Sequence, residues 1–205
     1  MPKHIAFIMD GNRRFEQKKH IQNQGSLNSP GFDKLMQIME WSMALGVKQL
    51  TVYAFSIENF KRPKTEVDYI FRLLLDKFNY FMTNLDYYRE NGVKFNFIGD
   101  LSLLPEAIQI AMSKLMLATR DLTAIQFNIA ISYTSREEIY TTIKTLVNGV
   151  ENNEIDVQDI DEALFTKCLY TRDSPGIDLV IRTSGETRLS DFLLWQVIKR
   201  QDVLY

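Results

Sequence analysis

The chain contains a single cysteine and only two histidines in 205 residues. One cysteine, Cys168, cannot build an intrachain disulfide framework. It fits a reducing compartment, and it reads as a small buried hydrophobe near a helix end. With only His4 and His20 beside it, a zinc site of His and Cys is excluded; His4 reads as structural or solvated before a strand and His20 as solvated. No apolar run approaches the roughly 18 to 20 residues that a membrane-spanning helix needs. The first residues, Met1-Pro2-Lys3-His4, enter a short apolar run at once, without the longer hydrophobic region of a signal peptide. A soluble, cytoplasmic protein is the expectation, with contact at a membrane surface left open. Charge of one sign is scarce as well: 24 Lys and Arg stand against 26 Asp and Glu. That balance supplies no global field for nucleic acid, although a local basic site can hide within it. The phosphate loop G-x-x-x-x-G-K-[ST], the dinucleotide fingerprint G-x-G-x-x-G, H-E-x-x-H and G-x-S-x-G are all missing.

What is there describes an ordinary folded domain, with 45% hydrophobic and 24% charged residues. Short apolar runs rich in β-branched and aromatic residues cover residues 5–9, 50–54, 93–98, 125–132 and 177–181. Such unbroken apolarity suits strands covered on both faces, as in a parallel sheet. Between them lie stretches with helical spacing: Phe32, Leu35, Met36 and Met39, and then Ile70, Phe71, Leu74, Leu75, Phe78 and Met82 within a helix predicted over 65–90. Further helices are predicted over 104–119, 136–150 and 157–169, the last capped by Asp156 or Asp159. Alternating strands and helices give an α/β single domain over residues 1–205, with a mostly parallel central sheet flanked by helices. Residues 21–30, rich in Gln, Asn, Ser, Gly and Pro, read as a mobile loop. The methionines, among them Met36, Met39, Met43, Met112 and Met116, sit at helical spacings and read as core.

Polar chemistry gathers where predicted strands end. Asp10-Gly11-Asn12-Arg13-Arg14 follows the first strand directly. In open α/β sheets ligands sit beyond the carboxyl ends of strands, where helix starts present unpaired N–H groups. Gly11 permits close backbone approach, and Arg13 and Arg14 suit phosphate oxygens. Asp10 would repel a phosphate unless a cation such as Mg²⁺ lay between them. The competing reading is a helix-capping turn with solvated arginines. Tyr53 to Pro63 follows the second strand and offers Ser56, Asn59 and Arg62 between aromatics, either as a ligand wall or as a plain polar loop. Arg182-Thr183-Ser184-Gly185-Glu186-Thr187-Arg188-Leu189-Ser190 ends the last strand as a candidate anion cradle. The predicted helix over 65–90 is apolar on more than one face. It reads as core, or as the wall for a hydrocarbon tail beside a charged head.

The segments HIAFIMDGNRRF, VYAFSIENFKRP, AISYTSREEI and DLVIRTSGETRLSDFLLWQ resemble the signature segments of cis-prenyltransferases. They stand in the family's order and spacing across almost the whole chain. They look closer to eukaryotic dehydrodolichyl diphosphate synthases than to bacterial undecaprenyl diphosphate synthases. The resemblance implies a magnesium-dependent transferase that condenses isopentenyl diphosphate onto an allylic prenyl diphosphate, such as farnesyl diphosphate, toward dolichol. By position, Asp10 matches the aspartate that holds Mg²⁺ on a diphosphate, and Gly11, Asn12, Arg13 and Arg14 match the allylic diphosphate loop. Ser56 and Asn59 match residues linked to proton removal, and Arg62 belongs to the same loop. Arg182, Arg188 and Ser190 match the isopentenyl diphosphate pocket. Phe55 and the helix from Thr65 onward match a hydrophobic tunnel beside the sheet. A homodimer, or a heterodimer with a related subunit, is implied, with peripheral contact at the cytoplasmic face of the endoplasmic reticulum and no nucleic acid.

The sequence departs from the family in two places. Gln24, Leu27 and Asn28 stand where an arginine and a Gly-His pair are usual. After Trp195-Gln196 the spacing is shortened, without the bacterial metal-binding glutamate or the Arg-x-Gly segment often shared across a dimer. Either the protein is truncated and loop-altered or residues are absent from the sequence, and the second is the expectation. Two other functions remain open on the residues: a non-catalytic subunit of such a complex, and a prenyl-lipid carrier. The Asp10-Gly11-Asn12 loop, which non-catalytic subunits lose, favours the enzyme.

Overall fold

The computed structural model describes residues 1–11, 30–172 and 174–198. Five strands form one sheet: β1 (His4–Ile8), β2 (Gln49–Ser56), β3 (Val93–Ile98), β4 (Ile125–Tyr133) and β5 (Leu179–Arg182). Their order is β3-β4-β2-β1-β5, and every pairing is parallel. Parallel neighbours need crossovers, which the helices supply. These are α1 (Pro30–Ala44), α2 (Lys64–Thr83), α3 (Leu85–Glu90), α4 (Glu106–Thr119), α5 (Ser135–Glu151), α6 (Glu162–Cys168) and α7 (Leu194–Ile198). The expected α/β architecture with a parallel sheet is therefore present. His20 and most of the stretch 21–30 lie outside the described residues.

Alternation along each strand gives the sheet two faces. One face presents Ile5, Phe7, Leu50, Val52, Phe95, Phe97, Phe127 and Ile129 to α1, α2 and α4, whose Met39, Phe81, Met112 and Leu115 are buried against them. The other face begins with polar side chains. The Thr51 hydroxyl lies 2.7 Å from His4 Nε2 and accepts from Asn128 Nδ2 at 3.1 Å. Asn128 Oδ1 in turn accepts from Asn96 and Gln126. Toward the carboxyl ends this face becomes apolar, with Ala6, Ile8 and Ala130 packed against Tyr133, Phe192, Leu193 and Val197. His4 is thus a buried structural histidine, its Nδ1 lying 2.9 Å from the Pro175 carbonyl.

Two expectations from the sequence need correction. The helix predicted over 65–90 is two helices, because Asn84 leaves helical geometry at φ −100° and ψ 26°. Both its backbone N–H and its side-chain amide donate to the Tyr80 carbonyl, ending α2. The element predicted over 157–169 is a short turn at Val157–Asp159 followed by α6. The cap of α6 is Asp161, whose carboxylate accepts from Leu164 N–H at 2.7 Å, so Asp156 and Asp159 serve only the preceding turn. Cys168 ends α6 as a half-buried thiol. Among the described residues no helix is long and apolar enough to cross a membrane.

Candidate active site

Strands β2, β1 and β5 are neighbours, so parallel direction brings their carboxyl ends to one rim. Asp10 sits two residues past β1, and one of its carboxylate oxygens accepts from Gly11 N–H at 2.6 Å. Arg182, the last residue of β5, donates from Nη2 to the other oxygen at 2.7 Å. Its Nη1 donates to Ser190 Oγ at 2.6 Å and to the Arg188 carbonyl at 2.5 Å. Thr183 and Ser184 hydroxyls both donate to the Asp10 carbonyl. The loops after β1 and β5 therefore touch closely, which explains Gly11: its φ is +90°, and a Cβ there would lie 1.8 Å from Ser184 Oγ.

The loop after β2 is organised by its own side chains. Ser56 Oγ accepts from Glu58 N–H, while Asn59 Oδ1 accepts from Ser56 N–H, both at 3.1 Å. This reciprocal box fixes the turn Ile57–Lys61. Arg62 follows, donating to Glu66 on the first turn of α2 at 2.9 Å. The sequence-predicted residues Asp10, Gly11, Phe55, Ser56, Asn59, Arg62, Arg182, Arg188 and Ser190 all line one cleft of about 1240 Å³. Asn12, Arg13 and Arg14 lie outside the described residues.

One end of the cleft is charged and the other apolar. At the charged end each described arginine faces a carboxylate: Arg62 with Glu66, Arg136 with Asp191, Arg182 with Asp10 and Arg188 with Glu186. Arg182 Nε is nonetheless buried without a hydrogen-bond partner. A buried donor of that kind suits an anionic ligand. At the apolar end, Tyr69, Ile70, Leu73 and Leu74 of α2 form the wall. Phe78 and Phe81, two large side chains of the same helix, point elsewhere. Phe78 meets Phe97 at 4.9 Å, and Phe81 packs among Phe32, Tyr88 and Phe95. Phe71 packs on Phe55 and Phe60 behind the wall.

Arg136, Asp191 and Glu66, also in the cleft, were not singled out from the sequence. Arg136 and Asp191 meet at 2.7 Å, and Arg136 lies just past the end of β4. The rule of polar chemistry at strand ends, applied to a fourth strand, would have found it. Glu66 is one helical turn beyond Arg62, the spacing of an ion pair. Tyr53 donates to the Tyr133 carbonyl at 2.9 Å and stacks on Phe192. Burial pushes its hydroxyl up to about 12, so it stays a proton donor. Behind the rim, buried Glu138 accepts from Tyr133 Oη at 2.6 Å, Tyr170 N–H at 2.9 Å and Gln196 Nε2 at 3.0 Å. Desolvation raises the pKa of this carboxyl above the usual carboxylate value, against the hydrogen bonds that favour its charge.

Among the described residues no three His, Cys, Asp or Glu side chains could together hold a metal ion. Asp10 could still serve as one ligand of Mg²⁺, which commonly takes one or two protein carboxylates and completes its shell with substrate oxygens and water.

A sequence profile of the prenyltransferase family described as undecaprenyl diphosphate synthase matches residues 8–205. The human dehydrodolichyl diphosphate synthase complex subunit is 47% identical over 196 residues, covering 96% of this chain and 59% of that protein. A tritrans,polycis-undecaprenyl-diphosphate synthase (geranylgeranyl-diphosphate specific) of Pyrococcus abyssi is 44% identical over 198 residues, covering 96% and 74% respectively. Among solved structures, lavandulyl diphosphate synthase from Lavandula x intermedia, in complex with dimethylallyl diphosphate, superposes with a TM-score of 0.86 at 33% identity, over 95% of this chain and 83% of that one. The chain spans 59% of the length of its human and mouse relatives.

Proposed function

The chain belongs to the undecaprenyl diphosphate synthase family of prenyltransferases, and from that premise we propose that it condenses isopentenyl diphosphate onto an allylic prenyl diphosphate to build a long cis-polyprenyl diphosphate. The observation that carries this reading is the Asp10–Arg182 contact of 2.7 Å at a rim that opens onto the apolar wall of α2. A charged head and a hydrocarbon tail are the two halves of a prenyl diphosphate, and the cleft offers one end to each.

In this reading Asp10 would hold Mg²⁺ against a diphosphate, where the ion would supply charge neutralisation for the departing group. Gly11, with Asn12, Arg13 and Arg14, receives the allylic head. Arg182, Arg188 and Ser190 receive the isopentenyl head, with Arg182 Nε as a donor ready for it. Arg62 adds charge between them. Holding both heads on one rim brings the isopentenyl double bond beside the allylic carbon, so rate enhancement comes largely from orientation and charge stabilisation. The allylic carbon–oxygen bond breaks and inorganic diphosphate leaves with the bonding pair, and the isopentenyl double bond attacks that carbon. The proton then lost from the isopentenyl unit beside Ser56 and Asn59 passes to the released diphosphate or to water as the new cis double bond forms. Phe55 and the α2 wall accept the lengthening tail.

The product class points to dolichol synthesis. It also points to work beside the cytoplasmic face of the endoplasmic reticulum, as a homodimer or with a related subunit. The deciding experiment incubates the purified protein with farnesyl diphosphate, labelled isopentenyl diphosphate and Mg²⁺, then sizes the lipid products. Label in long prenyl chains is expected. No incorporation with Mg²⁺ present, alone or with a related subunit that is itself inactive, would refute the enzyme and leave the non-catalytic subunit and the prenyl-lipid carrier.

A further inference from the structure

Three of the four residues from Ser190 to Leu193 have positive φ: 51° at Ser190, 61° at Asp191 and 49° at Leu193. None is glycine, so each is sterically disfavoured and persists only where its surroundings impose it. The first turn of α5 imposes it. Ser135 N–H donates to the Asp191 carbonyl at 2.7 Å. Arg136 donates from its backbone N–H to one Asp191 carboxylate oxygen at 3.2 Å and from Nε to the other at 2.7 Å. Ser135 Oγ then accepts from Leu194 N–H at 2.8 Å. Two consecutive residues of one helix thus clamp the whole loop from both sides of Phe192, which is fully buried.

What the clamp controls lies immediately upstream. Ser190 Oγ and the Arg188 carbonyl are the two acceptors of Arg182 Nη1, while Nη2 is held by Asp10. With both ends fixed, the guanidinium plane is fixed, and the remaining Nε–H is buried without a partner. The Asp191 carboxylate would by itself repel an anion in the cleft it lines. Two donors from Arg136, one on each oxygen, offset that charge.

We propose that Asp191, held by Arg136, is a positioning residue of the diphosphate site: it locks the left-handed loop so that Ser190 and the Arg188 carbonyl aim Arg182 at the incoming anion. The identity of that anion as the isopentenyl diphosphate head rests on the function proposed above; the positioning rests on the loop geometry.

The test compares Asp191→Ala, Asp191→Asn, Arg136→Ala and the Arg136→Ala/Asp191→Ala double variant. Affinity for inorganic diphosphate is measured by calorimetry, alongside KM for each substrate and melting temperature. Asp191→Ala weakens diphosphate binding on the order of tenfold, and raises the KM for isopentenyl diphosphate by a similar factor, while the allylic KM moves by less than about twofold. Asn keeps an acceptor for Arg136 and tolerates left-handed φ, so Asp191→Asn recovers most of the loss. The double variant is no weaker than Asp191→Ala alone. Unchanged diphosphate affinity in a folded Asp191→Ala protein overturns the proposal, as does a loss that Asn does not recover or one shared equally by both substrates. If Asp191→Ala does not fold, Arg136→Ala decides: weakened diphosphate binding at an unchanged melting temperature supports the clamp, and full affinity sinks it. A wild-type protein that binds diphosphate yet never elongates a prenyl chain refutes the function above while the clamp stands.

Discussion

The two faces of the sheet do different work with different chemistry. Toward α1, α2 and α4 the surface is mostly apolar: Phe7, Phe95, Phe97 and Phe127 cluster with Phe78, Phe81 and Met112. The buried polar groups Ser42 and Thr119 sit within helices, Thr119 accepting from Phe95 N–H at 3.1 Å. Toward α5 and α7 the surface is laced with buried polar groups, from His4, Thr51 and Asn128 to Glu138 and Ser135. The apolar face continues into the apolar wall of the cleft through Ile70 and Leu74. The laced face reaches the charged rim, because Glu138 binds Gln196 and Ser135 binds Leu194, tethering the segment that follows Ser190. One face makes room for a tail, and the other holds the head groups' partners in place. Deletions should therefore fail differently: by leaving cavities on the first and stranded donors on the second.

The largest effect expected on the apolar face comes from Phe81→Ala. Its ring is buried among Phe32, Tyr88 and Phe95, so its removal costs about 3–5 kcal/mol in denaturant unfolding, with product length unchanged. Altered product length would show that the ring reaches the cleft and would blur the division. On the laced face, Glu138→Ala removes the acceptor shared by Tyr133 Oη, Tyr170 N–H and Gln196 Nε2, and costs about 3 kcal/mol. Of these, Tyr133 and Gln196 keep Ser135 and Thr171 as neighbours. Glu138→Gln adds a sign test. Burial raises the folded carboxyl's pKa above its ordinary 4.5, so the folded state holds the proton more tightly than the unfolded chain. Wild type then loses stability relative to Glu138→Gln as pH rises above that ordinary value, and a gap that widens in the opposite sense would contradict burial as the dominant cause. Thr51→Val is nearly isosteric and leaves His4 and Asn128 each short of a partner, for about 2 kcal/mol by thermal melting; a neutral result would mean that the polar layer is dispensable. The smallest change in stability, about 1 kcal/mol, is expected for Leu73→Ala, since Leu73 is only half-buried on the cleft wall. Its signature is longer product, read by sizing the lipids, and unchanged product would remove Leu73 from the tail's path.

This division was only partly legible in the sequence. Unbroken apolar runs marked the strands well, and residues 93–98 match β3 end to end. Polar residues at strand ends pointed to Asp10, Ser56 and Arg182, because parallel strands must deliver their loops to one rim. Which loops would touch was hidden, since that depends on β1 lying between β2 and β5. Arg136 was passed over as a helix start. Within α2, helical spacing turns Phe78 and Phe81 toward the sheet and leaves Tyr69 and Leu73 on the cleft, an orientation that an apolar helix does not disclose. The break at Asn84 was invisible because aromatic residues continue on both sides, and one side-chain amide capturing the Tyr80 carbonyl decides it. The resemblance to prenyltransferases, carried by short segments, is matched by the family profile over residues 8–205.

The polar layer of His4, Thr51 and Asn128 also restricts how the strands can be assembled. Parallel strands made of near-continuous apolar residues are prone to slippage, because many alignments bury similar area. A one-residue slip of β1 along β2 would carry His4 to the aromatic face and Phe7 to the polar one. The imidazole would then sit among rings with no acceptor for its N–H, while the Thr51 hydroxyl and the Pro175 carbonyl lost the partner they now share. Each misaligned pairing is thereby penalised at an interior site, and the alignment His4 with Gln49 and Phe7 with Val52 is selected. Since Asp10 reaches the rim only when β1 is seated correctly, a histidine at the opposite end of the strand sets the height at which that carboxylate stands.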